Sequence, residues 1–323
     1  MAYVDLVSTQ VTPVAGGATY NFSFDTPVSQ DGSPHLTHIG FQMDMTVAAG
    51  AAYTSGGIGR LISNYRVKIG SNTLLDFNDP APAADATTQA NLSFLAAKVG
   101  GWDTCREVVA DNVVGELTLP FGIDATRSHR VNVTITLLSE TAWCGKALTP
   151  ATTEFNMVMY YGTAADSTLY GSRQDFDLSA SATRAVTAYG KAGWNMLGVA
   201  AINDSDADQV ISIRANNGAF RELTVQQWRV LDSTYTQGVQ DTKPDATAWS
   251  AVTERAGFIF LDLKRLTAGA DITLSMTTNA NATTYSLFPI WVSRIGSNAG
   301  NPTRQTISTV SSTAKDVESE SKF

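Results

Sequence analysis

The chain has 323 residues, of which 43% are hydrophobic and only 16% charged, and 22 basic against 30 acidic residues give a net charge of −8. This length accommodates one large or two medium-sized domains with substantial cores. Since an average soluble domain has about 25% charged residues, a chain this poor in charge favours surfaces that contact other proteins.

The distribution of basic residues argues against direct binding of nucleic acid. The first one is Arg60, and no cluster of Lys and Arg follows it. Neutralising phosphates requires such clusters, often on an N-terminal arm. The N-terminus lacks the features of a signal peptide, and no apolar run is long enough to span a bilayer. With only Cys105 and Cys144 there is no disulfide framework. We therefore expect a soluble protein synthesised in the cytoplasm.

In chain order, residues 1–30 are rich in Thr, Val and Gly and suit an extended N-terminal arm or a first strand. The segment 39–47 alternates apolar and polar residues, which predicts a strand with one buried face. A hairpin follows at Arg66–Phe77, where two alternating runs flank Gly70-Ser71, because Gly supplies the positive φ that a tight turn requires.

A helix is predicted after the break at Asp79-Pro80. It starts near Asp85, places Leu92 and Leu95 on one face and ends at Gly100-Gly101. Further strands are predicted at 113–121, 130–138 and 154–161. Together these elements have the size of one β-sandwich.

The second half of the chain repeats this pattern. Residues 162–187 show little periodicity and suit a linker with a lead-in strand. A second hairpin at Ile211–Thr224 and a second helix near 245–257 follow, and the remaining strands are predicted at 258–263, 271–277 and 285–295. Short segments recur in the same order at offsets of roughly 130 to 150 residues, as a duplicated domain would give. These pairs are 116–119 with 258–261, 132–135 with 271–274, and 155–160 with 285–288.

The predicted fold is all-β, with two tandem jelly-roll β-sandwich or barrel domains that each carry a short inserted helix. The predicted divisions are an N-terminal arm (1–30), a first jelly roll (31–163), a linker and lead-in strand (164–190), a second jelly roll (191–297) and a flexible C-terminal tail (298–323).

The sequence offers few residues for catalysis. The histidines His35, His38 and His129 do not form a zinc-binding pattern, and there is no nucleophile elbow or phosphate-binding loop. Six tryptophans could stack on sugars if they were exposed, but aromatic residues of β-sandwiches more often lie in cores or interfaces. Carboxylate pairs for glycoside hydrolysis are not singled out by any spacing. We expect no enzymatic activity.

One acidic cluster is a weak candidate for calcium binding. Asp204, Asp206 and Asp208 alternate along the chain, and Ca²⁺ takes several oxygen ligands. The positions where an EF-hand requires Gly and Glu hold Gln209 and Ala215. A solvated turn between two strands is the favoured interpretation, and no other cofactor is expected.

The order of these elements resembles the double jelly-roll major capsid proteins of tailless, membrane-containing icosahedral bacteriophages, of the tectivirus, corticovirus and finnlakevirus kind. The residues that carry the resemblance are the strand 39–47, the hairpin 66–77 and the run 117–121. Their counterparts in the second half are 193–202, 211–224 and 257–263. The resemblance lies in pattern and order over nearly the whole chain.

This resemblance implies a structural virion protein whose homotrimers form pseudo-hexagonal capsomers of an icosahedral shell over an internal membrane. It implies partners among neighbouring capsomers and other capsid proteins, such as penton or membrane proteins, and no direct contact with nucleic acid. The segments 1–30 and 298–323 are candidates for contacts with neighbours or the membrane. The alternative is a phage receptor-binding or carbohydrate-binding β-sandwich protein, which exposed rows of Trp or Tyr would favour.

Overall fold

The computed structural model of the chain describes residues 3–9, 18–26, 28, 35–46, 58–80, 91–109, 112–123, 127–138, 154–162, 168–171, 173–188, 195–203, 209–216, 222–225, 227–228, 258–263 and 271–293. These ranges consist mostly of β-strands, with a helix α1 (Asn91–Val99) and a 3-10 turn at Ile58–Leu61. The all-β prediction is confirmed. The predicted second helix and the C-terminal tail lie outside the described residues.

The first half of the chain folds into two facing antiparallel sheets. Their strands are β1 (Tyr3–Thr9), β2 (Thr19–Asp25), β3 (His35–Thr46), β4 (Ile62–Ile69), β5 (Asn72–Asn78), β6 (Trp102–Val109), β7 (Asn112–Ile123), β8 (Arg130–Leu137) and β9 (Glu154–Gly162). The first front sheet has the order β1-β9-β3-β7-β6, and the first back sheet has the order β2-β8-β4-β5. Alternate residues such as Phe41, Val133 and Phe155 are buried between the two sheets, because a period of two places them all on one face.

The second half forms an equivalent pair of sheets. Its strands are β10 (Thr168–Gly171), β11 (Gln174–Leu178), β12 (Thr183–Ala188), β13 (Asn195–Asn203), β14 (Val210–Asn216), β15 (Glu222–Thr224), β16 (Phe258–Asp262), β17 (Ile272–Thr278) and β18 (Thr283–Ser293). The second front sheet has the order β11-β18-β13-β16, and the second back sheet has the order β12-β17-β14-β15. A separate core that includes Ile213, Leu274 and Tyr285 lies between these sheets.

The two halves have the same connectivity. Strands β1, β9, β3 and β7 occupy the positions of β11, β18, β13 and β16, and β2, β8, β4 and β5 occupy those of β12, β17, β14 and β15. In both halves the chain crosses repeatedly between the front sheet and the back sheet, as it does in a jelly roll. Every pair of recurring segments seen in the sequence falls on equivalent strands, including the two hairpins β4–β5 and β14–β15.

Two of the predicted divisions differ from the structure. Within 1–30 we predicted an extended arm or a first strand. The segment contains two strands, since β1 pairs with β9 and β2 pairs with β8, and Phe22 and Phe24 of β2 are buried in the first core. The segment 164–190, predicted as a linker with one lead-in strand, contains the three strands β10, β11 and β12. All three strands are short, and β11 and β12 are mostly exposed on one face, so their apolar residues are too few to give a clear period.

The first hairpin and the first helix end as predicted. Gly70 at the turn between β4 and β5 has a φ of +56° and Gly100 after α1 has a φ of +88°, values that glycine adopts without strain. Leu92, Leu95 and Ala96 of α1 are buried. The strand β6, which pairs with β7, was not predicted.

Candidate assembly surfaces

The two jelly rolls are joined by a buried apolar contact. Ala200, Phe258 and Phe288 on the outer face of the second front sheet belong to the core of the first jelly roll. The ring of Phe288 lies 4.8 Å from that of Phe77 in β5, and the ring of Phe258 stacks on that of Phe94 in α1 at 5.3 Å. The strands β13, β16 and β18 of the second front sheet are therefore buried on both faces, and the contact has the character of a domain core.

Close packing at this contact depends on two glycines. A Cβ atom on Gly198 of β13 would lie 2.5 Å from Cζ of Phe260 and 2.6 Å from the carbonyl oxygen of Leu261. A Cβ atom on Gly171 of β10 would lie 3.0 Å from the Cδ1 atoms of both Leu75 and Ile290. Since β10 pairs with β5 of one jelly roll and β18 of the other, Gly171 lies where the two sheets meet.

A buried carboxylate fixes α1 at the same contact. Asp103 of β6 is 4% exposed, and it accepts hydrogen bonds from the backbone N–H groups of Ile58 at 2.8 Å and Gly59 at 3.1 Å. The hydroxyl of Ser93 in α1 donates to the same carboxylate. The carboxylate thus ties the 3-10 turn, the helix and β6 together, which positions Phe94 for its contact with the second jelly roll.

A polar groove of about 670 Å³ opens beside the junction of the two jelly rolls. Its charged residues form two ion pairs, Arg66 with Asp76 at 2.7 Å and Arg173 with Asp175 at 2.6 Å. Arg173 also donates a hydrogen bond of 3.1 Å to the carbonyl oxygen of Asn78. The lining is completed by polar and small residues: Asn64, Thr73, Asn78 and Gly171.

The charges in this groove are balanced by their partners. Burial alone would raise the pKa of Asp175, but hydrogen bonds from Arg173 and Ser286 hold this pKa below its usual value. The hydrogen bond with Asp76 raises the pKa of Arg66. Because each guanidinium already faces a carboxylate, the described residues of the groove carry no excess charge of either sign, and they are typical of a wet protein–protein contact.

A second surface, which we call the front face, is the outer face of the first front sheet. Its half-buried side chains include His38 and Gln42 of β3, Trp102 of β6, Glu116 of β7 and Tyr160 of β9. The ring of Trp102 lies 5.2 Å from that of His38 and 5.4 Å from that of Tyr160.

Hydrogen bonds connect side chains of the front face to one another. The Tyr160 hydroxyl donates to the carboxylate of Glu116, and so does the hydroxyl of Thr118 at 2.7 Å. Gly40 provides the space, since a Cβ atom there would lie 2.8 Å from Oε1 of Glu116. Burial lowers the pKa of His38, although a hydrogen bond with the backbone of Gly100 opposes the shift. Burial and the contact with Glu116 raise the pKa of Tyr160.

The calcium candidates Asp204, Asp206 and Asp208 lie outside the described residues, so the suggestion of a site there stays untested. Among the residues that the structure describes, no group of three or more His, Cys, Asp or Glu side chains is placed to hold a metal ion. His35 and His38 lie on β3, and His129 is buried beside β8.

The tryptophans with described side chains do not form an exposed row. Trp228 and Trp291 are buried, and Trp228 donates a hydrogen bond of 3.0 Å to the carbonyl oxygen of Ile213. Trp102 is half-buried in the front face. The only tryptophan of this group with an accessible ring is therefore part of a packed surface cluster.

No described helix has the length and apolar character needed to cross a membrane.

The fold that these sheets define is a double jelly roll, which several viral major capsid proteins of known structure share. No protein-family model matches the chain, and neither does any curated protein. Solved structures do match it. The major capsid protein P2 of bacteriophage PM2 is 10% identical with a TM-score of 0.51, and the alignment covers 92% of this chain and 100% of P2.

Similar agreement is found with an archaeal virus. A chain from the atomic structure of Sulfolobus Turreted Icosahedral Virus is 12% identical with a TM-score of 0.55, and the alignment covers 96% of both chains. A crystal structure of the major capsid protein of the same virus gives 12% identity and a TM-score of 0.53, over 90% of this chain and 96% of that one. These similarities establish the fold over nearly the whole chain.

Proposed function

We propose that this protein is a major capsid protein, a structural rather than catalytic component of a virion. The observation that carries the proposal is the pair of equivalent jelly rolls joined by a buried contact, in an arrangement shared with capsid proteins over at least nine-tenths of the chain. The low content of charged residues agrees with a protein that covers much of its surface with neighbouring copies.

In the proposed assembly three copies form a capsomer of six jelly rolls with a pseudo-hexagonal outline, and capsomers tile an icosahedral shell over an internal membrane. A membrane beneath the shell would separate the coat from the genome, which agrees with a chain whose first basic residue is Arg60. Penton and membrane proteins would be further partners, and synthesis would take place in the host cytoplasm.

The alternative of a carbohydrate-binding protein requires accessible aromatic platforms. Two of the three tryptophans with described side chains are buried. The polar groove is lined by no aromatic residue among those described. The structural role is therefore favoured.

The experiment that tests the proposal is the solution mass of the purified chain by light scattering, measured against concentration and salt. We expect a mass three times the chain mass of 34.4 kDa, with larger assemblies visible by electron microscopy as concentration rises. A monomer at every concentration, together with binding in a glycan screen, would contradict the capsid role and support the alternative.

A further inference from the structure

The strands β10 and β11 are two parts of one long strand that runs beside β18. Gly171 of β10 pairs with Ile290 and Gln174 of β11 pairs with Leu287, so the register along β18 continues unbroken from one part to the other. The opposite edge of this long strand changes its surroundings along its length. At Gly171 it pairs in parallel with Leu75 of β5, whereas among the described strands β11 pairs only with β18.

The polar groove lies where this long strand separates from β5. Its lining includes Asp76 and Asn78 of β5 and Arg173 and Asp175 of the long strand, all of which lie beyond the pairing of the two strands. The two strands therefore form a fork, and the groove is its opening. Because an edge strand directs half of its backbone N–H and C=O groups away from its sheet, the edge of β11 that borders the fork suits the addition of a further strand.

The carboxylates of β11 are turned away from this edge. Asp175 accepts a hydrogen bond of 2.5 Å from the hydroxyl of Ser286, and Asp177 accepts one of 2.8 Å from the hydroxyl of Thr284. Both donors lie on β18, so both carboxylates are held toward that strand. Edge strands often avoid pairing by placing charges over the open edge, and the described side chains of β11 do not provide this protection.

Arg173 fixes the fork at one point. Its guanidinium pairs with Asp175 at 2.6 Å and donates a hydrogen bond of 3.1 Å to the carbonyl oxygen of Asn78, so it ties β11 to the end of β5. The groove is therefore preformed, and the charges of its described residues are balanced. An uncharged occupant fits such a site, because a buried charge without a partner is costly.

The C-terminal part of the chain contains a segment with this character. Residues 305–314 include no charged residue, no proline and no glycine. Half of these ten residues are Thr, Ile or Val, whose branched side chains favour strands. The strand β11 has five residues, a length of about 17 Å, so part of this segment is enough to cover it.

The segment can reach the groove from the end of β18. Ser293, the last residue of β18, lies opposite Thr168 of β10. Thr168 and Asp175 are seven residues apart, which corresponds to about 23 Å along a strand. The eleven residues 294–304 can extend about 36 Å. The connection is therefore long enough for binding within one chain.

We propose that residues 305–314 bind in the polar groove of their own chain as an added β-strand beside β11. The backbone of the segment forms ladder hydrogen bonds with β11, and its hydroxyl groups face the polar residues of the lining, such as Asn64 and Thr73. The bound segment contacts both jelly rolls. This inference does not depend on the capsid role, and it gives an occupant to a groove that the proposed function leaves unused.

Hydrogen exchange of backbone amides, followed by mass spectrometry of the full-length chain, tests the proposal. In the unmodified chain we expect residues 305–314 to exchange at least about tenfold more slowly than a synthetic peptide of the same sequence. Thr309→Pro removes a backbone N–H and disfavours a strand, so it should abolish this protection and accelerate exchange in β11. Ser319→Pro, in the same C-terminal part but outside the segment, is the matched control and should change neither.

A second pair of variants tests the groove itself. Asn64→Trp places a large ring in the groove and should remove the protection of residues 305–314. The control is Asn21→Trp, which enlarges an exposed side chain of β2 in the same back sheet, outside the lining of the groove. Far-UV circular dichroism and thermal melting establish that each variant is folded.

Three results would overturn the proposal. The first is exchange of residues 305–314 in the unmodified chain at the rate of the synthetic peptide. The second is protection that Asn64→Trp leaves unchanged, which would show that the segment binds elsewhere. The third is protection that appears only at concentrations where chains associate, since a neighbouring copy would then supply the segment.

Discussion

Gly198 lies where the second front sheet is packed most tightly. Its missing side chain leaves room for the ring of Phe260 and the carbonyl oxygen of Leu261, 2.5 and 2.6 Å from the position of a Cβ atom. Backbone atoms cannot move aside as a flexible side chain does, so an added methyl group must displace a strand.

We therefore expect Gly198→Ala to lower the free energy of unfolding by about 1 to 3 kcal/mol, the usual cost of overpacking. Chemical denaturation followed by circular dichroism measures the change. Ala185→Val serves as the control, because it enlarges a side chain on the exposed strand β12 and should change stability by less than about 0.5 kcal/mol. Equal stability of Gly198→Ala and the unmodified chain would show that the sheets are less tightly packed than described.

His38 gives the front face a dependence on pH. Burial lowers its pKa below the ordinary value of 6.5, so the unfolded chain takes up a proton more readily than the folded one. Stability from this residue is present above pH 6.5 and is lost as the pH falls through the lowered pKa.

The prediction is that His38→Gln is less sensitive to acid than the unmodified chain between pH 7.5 and 5. Glutamine is polar and keeps a hydrogen-bond donor for the backbone of Gly100, but it does not titrate. Melting temperatures measured across this range for both proteins provide the comparison. If the melting temperatures of the two proteins change with pH in the same way, protonation of His38 does not lower the stability of the folded state.

At the scale of elements, α1 depends on Asp103 more than on its own sequence. The helix is nine residues long, too short to be stable alone, and it is held by the hydrogen bond from Ser93 and by burial of its apolar face. Removing the carboxylate would leave the N–H groups of Ile58 and Gly59 without their acceptor in a buried site.

Asp103→Asn should lower the free energy of unfolding by about 2 to 4 kcal/mol, because the amide nitrogen replaces one of the accepting oxygens with a donor. Asp25→Asn is the matched control, since its ion pair with Arg130 is exposed on both sides and such pairs contribute about 0 to 1 kcal/mol. Denaturation midpoints of both variants test this difference. Similar midpoints would show that the buried carboxylate does not anchor the helix.

Sequence periodicity identified most of the elements but not all. Strands such as β8, with the alternating burial of Val131, Val133 and Ile135, could be predicted because each apolar residue faces one core. The strand β12 could not, since its first three residues are exposed. The pairing of β10 with strands of both jelly rolls could not be predicted either, because the sequence of a four-residue strand does not indicate which strands it pairs with.

At the scale of the whole molecule, the two jelly rolls share a sheet. Strands β13, β16 and β18 place alternate residues in the two cores, as with Ala200 in the first and Ala201 in the second. Unfolding one jelly roll would expose one apolar face of the sheet that supports the other. The described parts of the molecule should thus behave as one cooperative unit.

We expect circular dichroism and tryptophan fluorescence to report one coincident unfolding transition. Phe288→Ala should shift it to lower denaturant by the equivalent of about 3 to 5 kcal/mol, because Phe288 is fully buried between the jelly rolls. Val133→Ala, within the first core alone, is the comparison and should shift the same single transition. Two separate transitions, of which Phe288→Ala moved only one, would show that the jelly rolls unfold independently.

The sequence by itself determined the all-β class, the duplication and the equivalence of the two hairpins, because these depend on a local period of two and on the order of segments. Only the tertiary structure decided which of the described strands are buried on both faces. The outer faces of the two front sheets belong to equivalent strands, yet one carries Phe258 and Phe288 inside a core and the other carries His38, Glu116 and Tyr160 at a half-buried surface. That difference depends on contacts between residues more than two hundred positions apart in the chain, such as Phe77 and Phe288, and a local pattern holds no information about such contacts.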